Sequence, residues 1–207
     1  MKEKTIKVII EILTECYPDA KCALNFSSPF ELLIATILSA QCTDVRVNKV
    51  STELFKIADT PEKMKALGKN KLSEIIKSCG LVNNKSQNII SSSEILISKF
   101  NSTVPDTMEE LTSLPGVGRK TANVVLSNAF GIDAIAVDTH VFRVANRIGL
   151  AKADNVSKTE LMLMESIPKR LWSISHHLLI LHGRNVCSSR NPKCDICKIN
   201  TYCEKNL

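Results

Sequence analysis

Apolar positions along this chain recur at the three- and four-residue spacing of helices, and no run alternates convincingly with a period of two. Polar start signals precede the apolar stretches. Ser28-Pro29-Phe30-Glu31 reads as a capping box with proline at the first helical position. Thr60-Pro61-Glu62 and Asp106-Thr107-Met108-Glu109 repeat the arrangement, and Ser157-Lys158-Thr159-Glu160 forms another box. Glycines mark the stops: Gly80 after KLSEIIKSC, Gly131 after TANVVLSNAF and Gly149 after VFRVANRI. The pattern predicts helices at roughly 6–17, 29–40, 44–57, 61–67, 71–78, 84–99, 107–113, 119–130, 139–148, 158–166 and 169–184. Ile132 to Val137, IDAIAV, comes nearest to alternation and reads better as a linker between two helical subdomains. The expected fold class is all-α.

A length of 207 residues suits one large domain or two small ones. Hydrophobic residues make up 44% and charged residues 23%, a globular balance rather than a disordered or fibrous one. The net charge of +6 permits a polyanionic partner without requiring one. The longest apolar run, LLIATILSA from Leu32 to Ala40, is far short of the roughly 20 residues of a spanning helix. The N-terminal MKEKTIKVIIEILTE is basic, but Glu11 interrupts its apolar run and no small-residue cleavage site follows, so it is not read as a secretory signal.

After His182 the periodicity fades into a tail rich in Cys, Lys and Asn. Without a secretory signal, eight cysteines point to metal ligation or buried thiols rather than a disulfide scaffold. Cys187, Cys194, Cys197 and Cys203 lie at C-x6-C-x2-C-x5-C, close enough for four thiolates to close around one metal centre. One CxxC pair with short flanking gaps fits a cubic iron–sulfur cluster better than a two-knuckle zinc site, and zinc stays as the alternative. Arg190 and Lys193 fall in the first gap, where a braced loop presents basic side chains to phosphates. Cys16, Cys22, Cys42 and Cys79 read as small buried hydrophobes in helical segments.

Leu114-Pro115-Gly116-Val117-Gly118 joins two predicted helices and resembles the helix–hairpin–helix motif of DNA-binding proteins. Its glycines permit a tight turn, and the free amides opening the next helix accept a phosphate oxygen. Arg119 reads as a further phosphate contact. Lys120 falls in the first turn of that helix, where the positive helix end and desolvation are expected to favour its unprotonated, nucleophilic form. Asp138 opens DTHVFRVANRI and is either an N-cap or a carboxylate able to stabilise developing positive charge.

Taken together, LPGVGRKTANVVL, VDTHVFRVANRIGL, LSAQCTD, GLVNNKSQNI, HHLLILHGRNVC and the four-cysteine tail resemble the endonuclease III family of bifunctional DNA glycosylases, over essentially the whole chain. The resemblance implies a six-helix barrel domain at 22–132, and a second domain built from 1–21 and 133–207 that carries a [4Fe-4S] cluster on the four tail cysteines. It implies that duplex DNA with damaged pyrimidines or abasic sites binds, bent, in a cleft between the domains with the lesion flipped out. The lysine matching Lys120 attacks C1′, and β-elimination then cuts the strand 3′ to the lesion, with the aspartate matching Asp138 assisting. Gln41 and Leu81 match residues that enter the duplex, and His140 matches a phosphate neighbour of the site. A monomer in the bacterial cytoplasm, associated with the nucleoid and not with membrane, is expected.

The chain departs from the family at Cys42, where another small residue is common, at Cys79, where an aliphatic is usual, and at Thr112, where some relatives have a carboxylate. An adenine glycosylase of the same superfamily, which typically lacks the lysine and carries an extra C-terminal domain, and a non-catalytic DNA-binding module are the rival readings. Lys120 argues against the first, and Lys120 together with Asp138 against the second.

Overall fold

The computed structural model describes residues 1–206, and among them all regular structure is helical, with no strand. The chain divides into two compact units: Cys22–Gly131, and Met1–Lys21 together with the chain from Ile132 onward.

The Cys22–Gly131 unit holds α2 (Pro29–Leu38), α3 (Asp44–Phe55), α4 (Pro61–Leu67), α5 (Lys69–Ile75), α6 (Val82–Phe100), α7 (Met108–Thr112) and α8 (Arg119–Ala129). Helix α2 is buried from Phe30 to Leu38 except at Glu31, so apolar residues surround it on every side and it serves as the centre of the unit. Its start follows the sequence. Ser28 Oγ accepts from the Glu31 amide with Pro29 at the first helical position, and Thr60 and Thr107 cap α4 and α7 in the same way.

The second unit holds α1 (Glu3–Cys16), α9 (Thr139–Ile148), α10 (Val156–Ser166) and α11 (Trp172–Asn185). Ile6, Ile9, Ile10 and Leu13 of α1 pack with Val141, Val144, Ala145 and Ile148 of α9, Leu163 of α10, and Leu178 and Leu179 of α11. The 132–137 segment forms no strand, and its Ile135 and Val137 join this core. Gly183 lets α9 approach α11, since a Cβ there would meet Val144 and His140 at 3.0 and 3.2 Å.

Some local expectations need correction. Helix α10 begins at Val156 under an Asn155 cap on the Lys158 amide at 2.9 Å, rather than under Ser157, because Asn155 already offers an acceptor two residues earlier. The span expected at 71–78 is α5 followed by a separate 3₁₀ turn at Lys77–Cys79. Of the four scattered cysteines only Cys79 is buried; Cys16 is exposed, and Cys22 and Cys42 are half-buried. No helix among the described residues is long and apolar enough to cross a membrane.

Candidate nucleic-acid interface and catalytic residues

The hairpin between α7 and α8 hangs from buried apolar anchors. Leu111, Leu114 and Val117 are buried, the Val117 amide donates to Leu114 O at 3.1 Å, and Ser92 Oγ donates to Pro115 O at 2.8 Å. Gly116 is required twice over: its φ is +78°, and a Cβ would sit 2.8 Å from Asn88. Gly118 is different. It has ordinary φ and open space around it, so what glycine contributes there is the absence of a side chain over the first amides of α8. Burial of Val117 removes its side chain from any surface contact, leaving only its backbone for the interface expected there.

Gly116, Gly118, Arg119 and Lys120 are all exposed, with Lys120 in the first turn of α8. The helix start expected for the lysine is therefore present. The desolvation is not, because the chain alone leaves this side chain in solvent.

Gln41 and Leu81 share an unusual backbone. Both are non-glycine residues in left-handed conformation, with φ of 54° and 49°, a state costing on the order of 1 kcal/mol or more each. Both are exposed, Leu81 at 49% despite its apolar side chain. Between their segments lies a buried cation. Lys85 is 3% exposed and donates from Nζ to Leu38 O and to Cys79 O, both at 2.8 Å. Burial holds its pKa below the usual lysine value. One side chain thus ties the end of α2, before Gln41, to the turn before Leu81.

In the other unit, Asp138 is half-buried and caps α9. Its Oδ1 accepts from the His140 and Val141 amides, each at 2.8 Å. Both bonds fall on one oxygen, so Oδ2 is available for a reacting group. His140 Nδ1 meets Arg143 Nη2 at 3.2 Å, and that guanidinium also donates to Gly183 O and Cys187 O, fixing the imidazole against α11.

Cys187, Cys194, Cys197 and Cys203 line one cavity, with Arg147 and His182 in its wall. Arg147 donates to Cys187 Sγ at 3.7 Å, Ser188 O at 2.7 Å and Ser189 O at 2.8 Å. His182 meets Cys197 Sγ through Nε2 and the Tyr17 hydroxyl through Nδ1, and burial lowers its pKa to about 4. Among the described residues, no three His, Cys, Asp or Glu side chains stand close enough to hold a metal ion. A tetrahedral zinc at about 2.3 Å would need its sulfurs within about 4 Å of each other. The donor chemistry nevertheless fits a larger cationic centre. Four thiols face one space, and burial, together with mutual repulsion among the thiolates, pushes the Cys197 and Cys203 thiols up. Cationic charge bound in that space would offset thiolates there. Arg190 and Lys193 are exposed on the same loop.

Residues 34–169 match the family model of the HhH-GPD superfamily base excision DNA repair proteins. Endonuclease III of Rickettsia conorii is 50% identical over 204 residues, covering 99% of this chain and 97% of the relative. This chain belongs to the HhH-GPD superfamily. Endonuclease III of Escherichia coli K12, another similar protein, is 50% identical over 198 residues, 94% of each chain. A solved structure described as a trapped endonuclease III–DNA covalent intermediate matches with a TM-score of 0.93 at 46% identity, covering 99% of this chain and 97% of that one. A thermostable thymine-DNA glycosylase at 23% identity shares the fold with a TM-score of 0.88.

The HhH-GPD span includes Gln41, Leu81, Lys120 and Asp138, while the four cysteines of the cavity lie beyond it. Three residues that shape this HhH-GPD chain escaped the sequence reading. Lys85, Arg143 and Arg147 look like solvated helix charges in the sequence, yet each reaches carbonyls on other elements. Only Ile89, one turn on from Lys85, hinted that its helix face is buried.

Proposed function

We propose that this protein is a base-excision repair DNA glycosylase that removes oxidised pyrimidines from duplex DNA and cleaves the resulting abasic site through a Schiff base on Lys120. The observation that carries the reading is an exposed lysine in the first turn of a helix whose preceding glycine leaves its amides uncovered. A relative at 46% identity was captured as a covalent intermediate with DNA, which supports a nucleophile in this scaffold.

In this reading the Gly116–Gly118 backbone and Arg119 hold a phosphate, and Gln41 and Leu81 enter the duplex as the lesion nucleotide leaves the stack. Bound DNA supplies the desolvation that favours the neutral amine. Lys120 Nζ bonds to C1′, the glycosidic bond breaks, and the base departs. Proton loss from C2′ of the Schiff base then expels the 3′ phosphate. Asp138 supports the cationic sugar and manages protons. His140, Arg190 and Lys193 contact backbone phosphates. The four tail thiols hold a [4Fe-4S] cluster, which when bound neutralises buried thiolates and braces the Arg190–Lys193 loop. The enzyme works as a monomer in the cytoplasm, on nucleoid DNA.

Borohydride trapping on a duplex containing thymine glycol or an abasic site tests the reading. A covalent adduct is expected from the wild type and none from Lys120→Ala. Wild-type protein that binds the duplex yet yields no adduct and no strand cut would be a binding module instead.

A further inference from the structure

Helix α6 gathers three parts of the Cys22–Gly131 unit onto one of its faces. Lys85, Asn88 and Ser92 fall at i, i+3 and i+7, on the same side of the helix. Lys85 Nζ donates to Leu38 O and Cys79 O at 2.8 Å each, so those oxygens stand no more than twice that distance apart. Gln41 comes three residues after Leu38, and Leu81 two after Cys79. The Lys85 amide also donates to Leu81 O at 3.0 Å, so one residue holds the Leu81 turn by backbone and side chain together. Farther along the same face, Ser92 Oγ donates to Pro115 O, and Asn88 packs against Gly116. The helix that grips the Gln41 and Leu81 turns therefore also seats the hairpin before Lys120.

Lys85 is 3% exposed, and an apolar side chain would fill such a space without the cost of burying a charge. What the ammonium adds is direction. Leu38 ends α2, where carbonyls lack partners within the helix and the dipole favours a cation. Left-handed non-glycine residues persist where their surroundings over-determine them, and Gln41 and Leu81 each follow a carbonyl that Lys85 binds.

We propose that Lys85 is a positioning residue for lesion extrusion, fixing the Gln41 and Leu81 turns to each other and, through α6, to the Lys120 hairpin. The proposal rests on reading Gln41 and Leu81 as the residues that enter DNA. Lys85 lies buried beneath them and acts only through the two turns. Misplacing a positioning group by about 1 Å can cost on the order of 10²-fold in rate. The loss falls on opening the stack rather than on forming the Schiff base, and an abasic site has no base to extract.

The test compares two single-turnover rates of the cluster-loaded enzyme on one duplex sequence: thymine glycol excision, and borohydride trapping at an abasic site. Lys85→Met is expected to slow excision by about tenfold or more and trapping by no more than about threefold. Equal losses in the two assays overturn the proposal, because a shortage of folded enzyme lowers both alike. Wild-type excision by Lys85→Met overturns it as well. In a Gln41→Ala, Leu81→Ala background the same substitution should change excision by less than about threefold. A full loss repeated there means that Lys85 does not act through the two turns. Lys85→Gln keeps a neutral donor for one carbonyl and carries the same comparison should the methionine variant fail to fold. A wild type that neither excises nor traps removes the repair reading, and this proposal falls with it.

Discussion

The two units present their functional groups differently. The Cys22–Gly131 unit presents bare backbone and strained turns at its surface: the Gly116–Gly118 amides, Gln41 and Leu81 in left-handed conformation, and an exposed Lys120. Its precision comes from underneath, from the largely buried α2 and the Lys85 ammonium. The discontinuous unit instead bonds its functional side chains directly. Asp138 is bonded to two amides close by in sequence, and Arg143 and Arg147 bind carbonyls 40 or more residues away, around the cysteine cavity. Damage to the first unit should therefore show in binding and chemistry, and damage to the second in stability and cluster retention.

The largest test falls on chemistry carried by each unit. Lys120→Ala should give no trappable adduct above background while DNA affinity persists. Asp138→Asn keeps an oxygen for the α9 amides but removes the charge, so excision should fall by about 10²- to 10⁴-fold with thermal stability nearly unchanged. Full excision by either variant in a single-turnover assay would break the assignment.

Arg147→Met should expose the contrast in stability. It strips donors from Cys187 Sγ, Ser188 O and Ser189 O, at a cost of about 2–4 kcal/mol. Urea unfolding should shift to a lower midpoint, and absorbance near 400 nm should bleach faster than in the wild type. A variant matching wild type in both readouts would mean that the cysteine loop does not depend on this guanidinium.

Acid should single out the discontinuous unit, which contains all four histidines. Burial lowers the His177 pKa to about 4 from an ordinary 6.5. The unfolded chain therefore binds the extra proton first, and stability falls as pH drops from about 6.5 toward 4. The contribution reaches as much as about 3 kcal/mol. Urea midpoints measured across that window should drop less steeply for His177→Gln; parallel curves would remove the imidazole from the account.

The smallest effect separates two neighbouring glycines. Gly116→Ala meets Asn88 in a left-handed backbone and should cost about 2 kcal/mol in thermal unfolding. Gly118→Ala meets nothing and should stay within about 0.5 kcal/mol. Its methyl group next to the α8 amides should still weaken duplex binding several-fold, as fluorescence anisotropy would read.

What the sequence made legible follows the same divide. The all-helical fold, the Ser28, Thr60 and Thr107 caps and the Gly131 and Gly149 stops are local devices, each written within four residues. Gly116 was readable for the same reason. The roles of Lys85, Arg143 and Arg147 depend on which distant carbonyl lies opposite, and no local pattern encodes that. Asn155 displaced Ser157 as a cap because two acceptors stand close together and only the chain's entry angle decides between them. The exposure of Lys120 was likewise invisible, since periodicity says which face is polar but not how deep a given lysine sits.

The left-handed backbones of Gln41 and Leu81 set two aims of selection against each other. Glycine at either position would relax the turn at no steric cost, so Leu81→Gly should relieve backbone strain while removing the side chain proposed to enter DNA. A library sorted only for heat resistance would drift toward such variants and fill with well-folded proteins that no longer open DNA. On the proposed function, strain at these two positions is retained for insertion into DNA, and its relief would be an early sign of a copy released from repair.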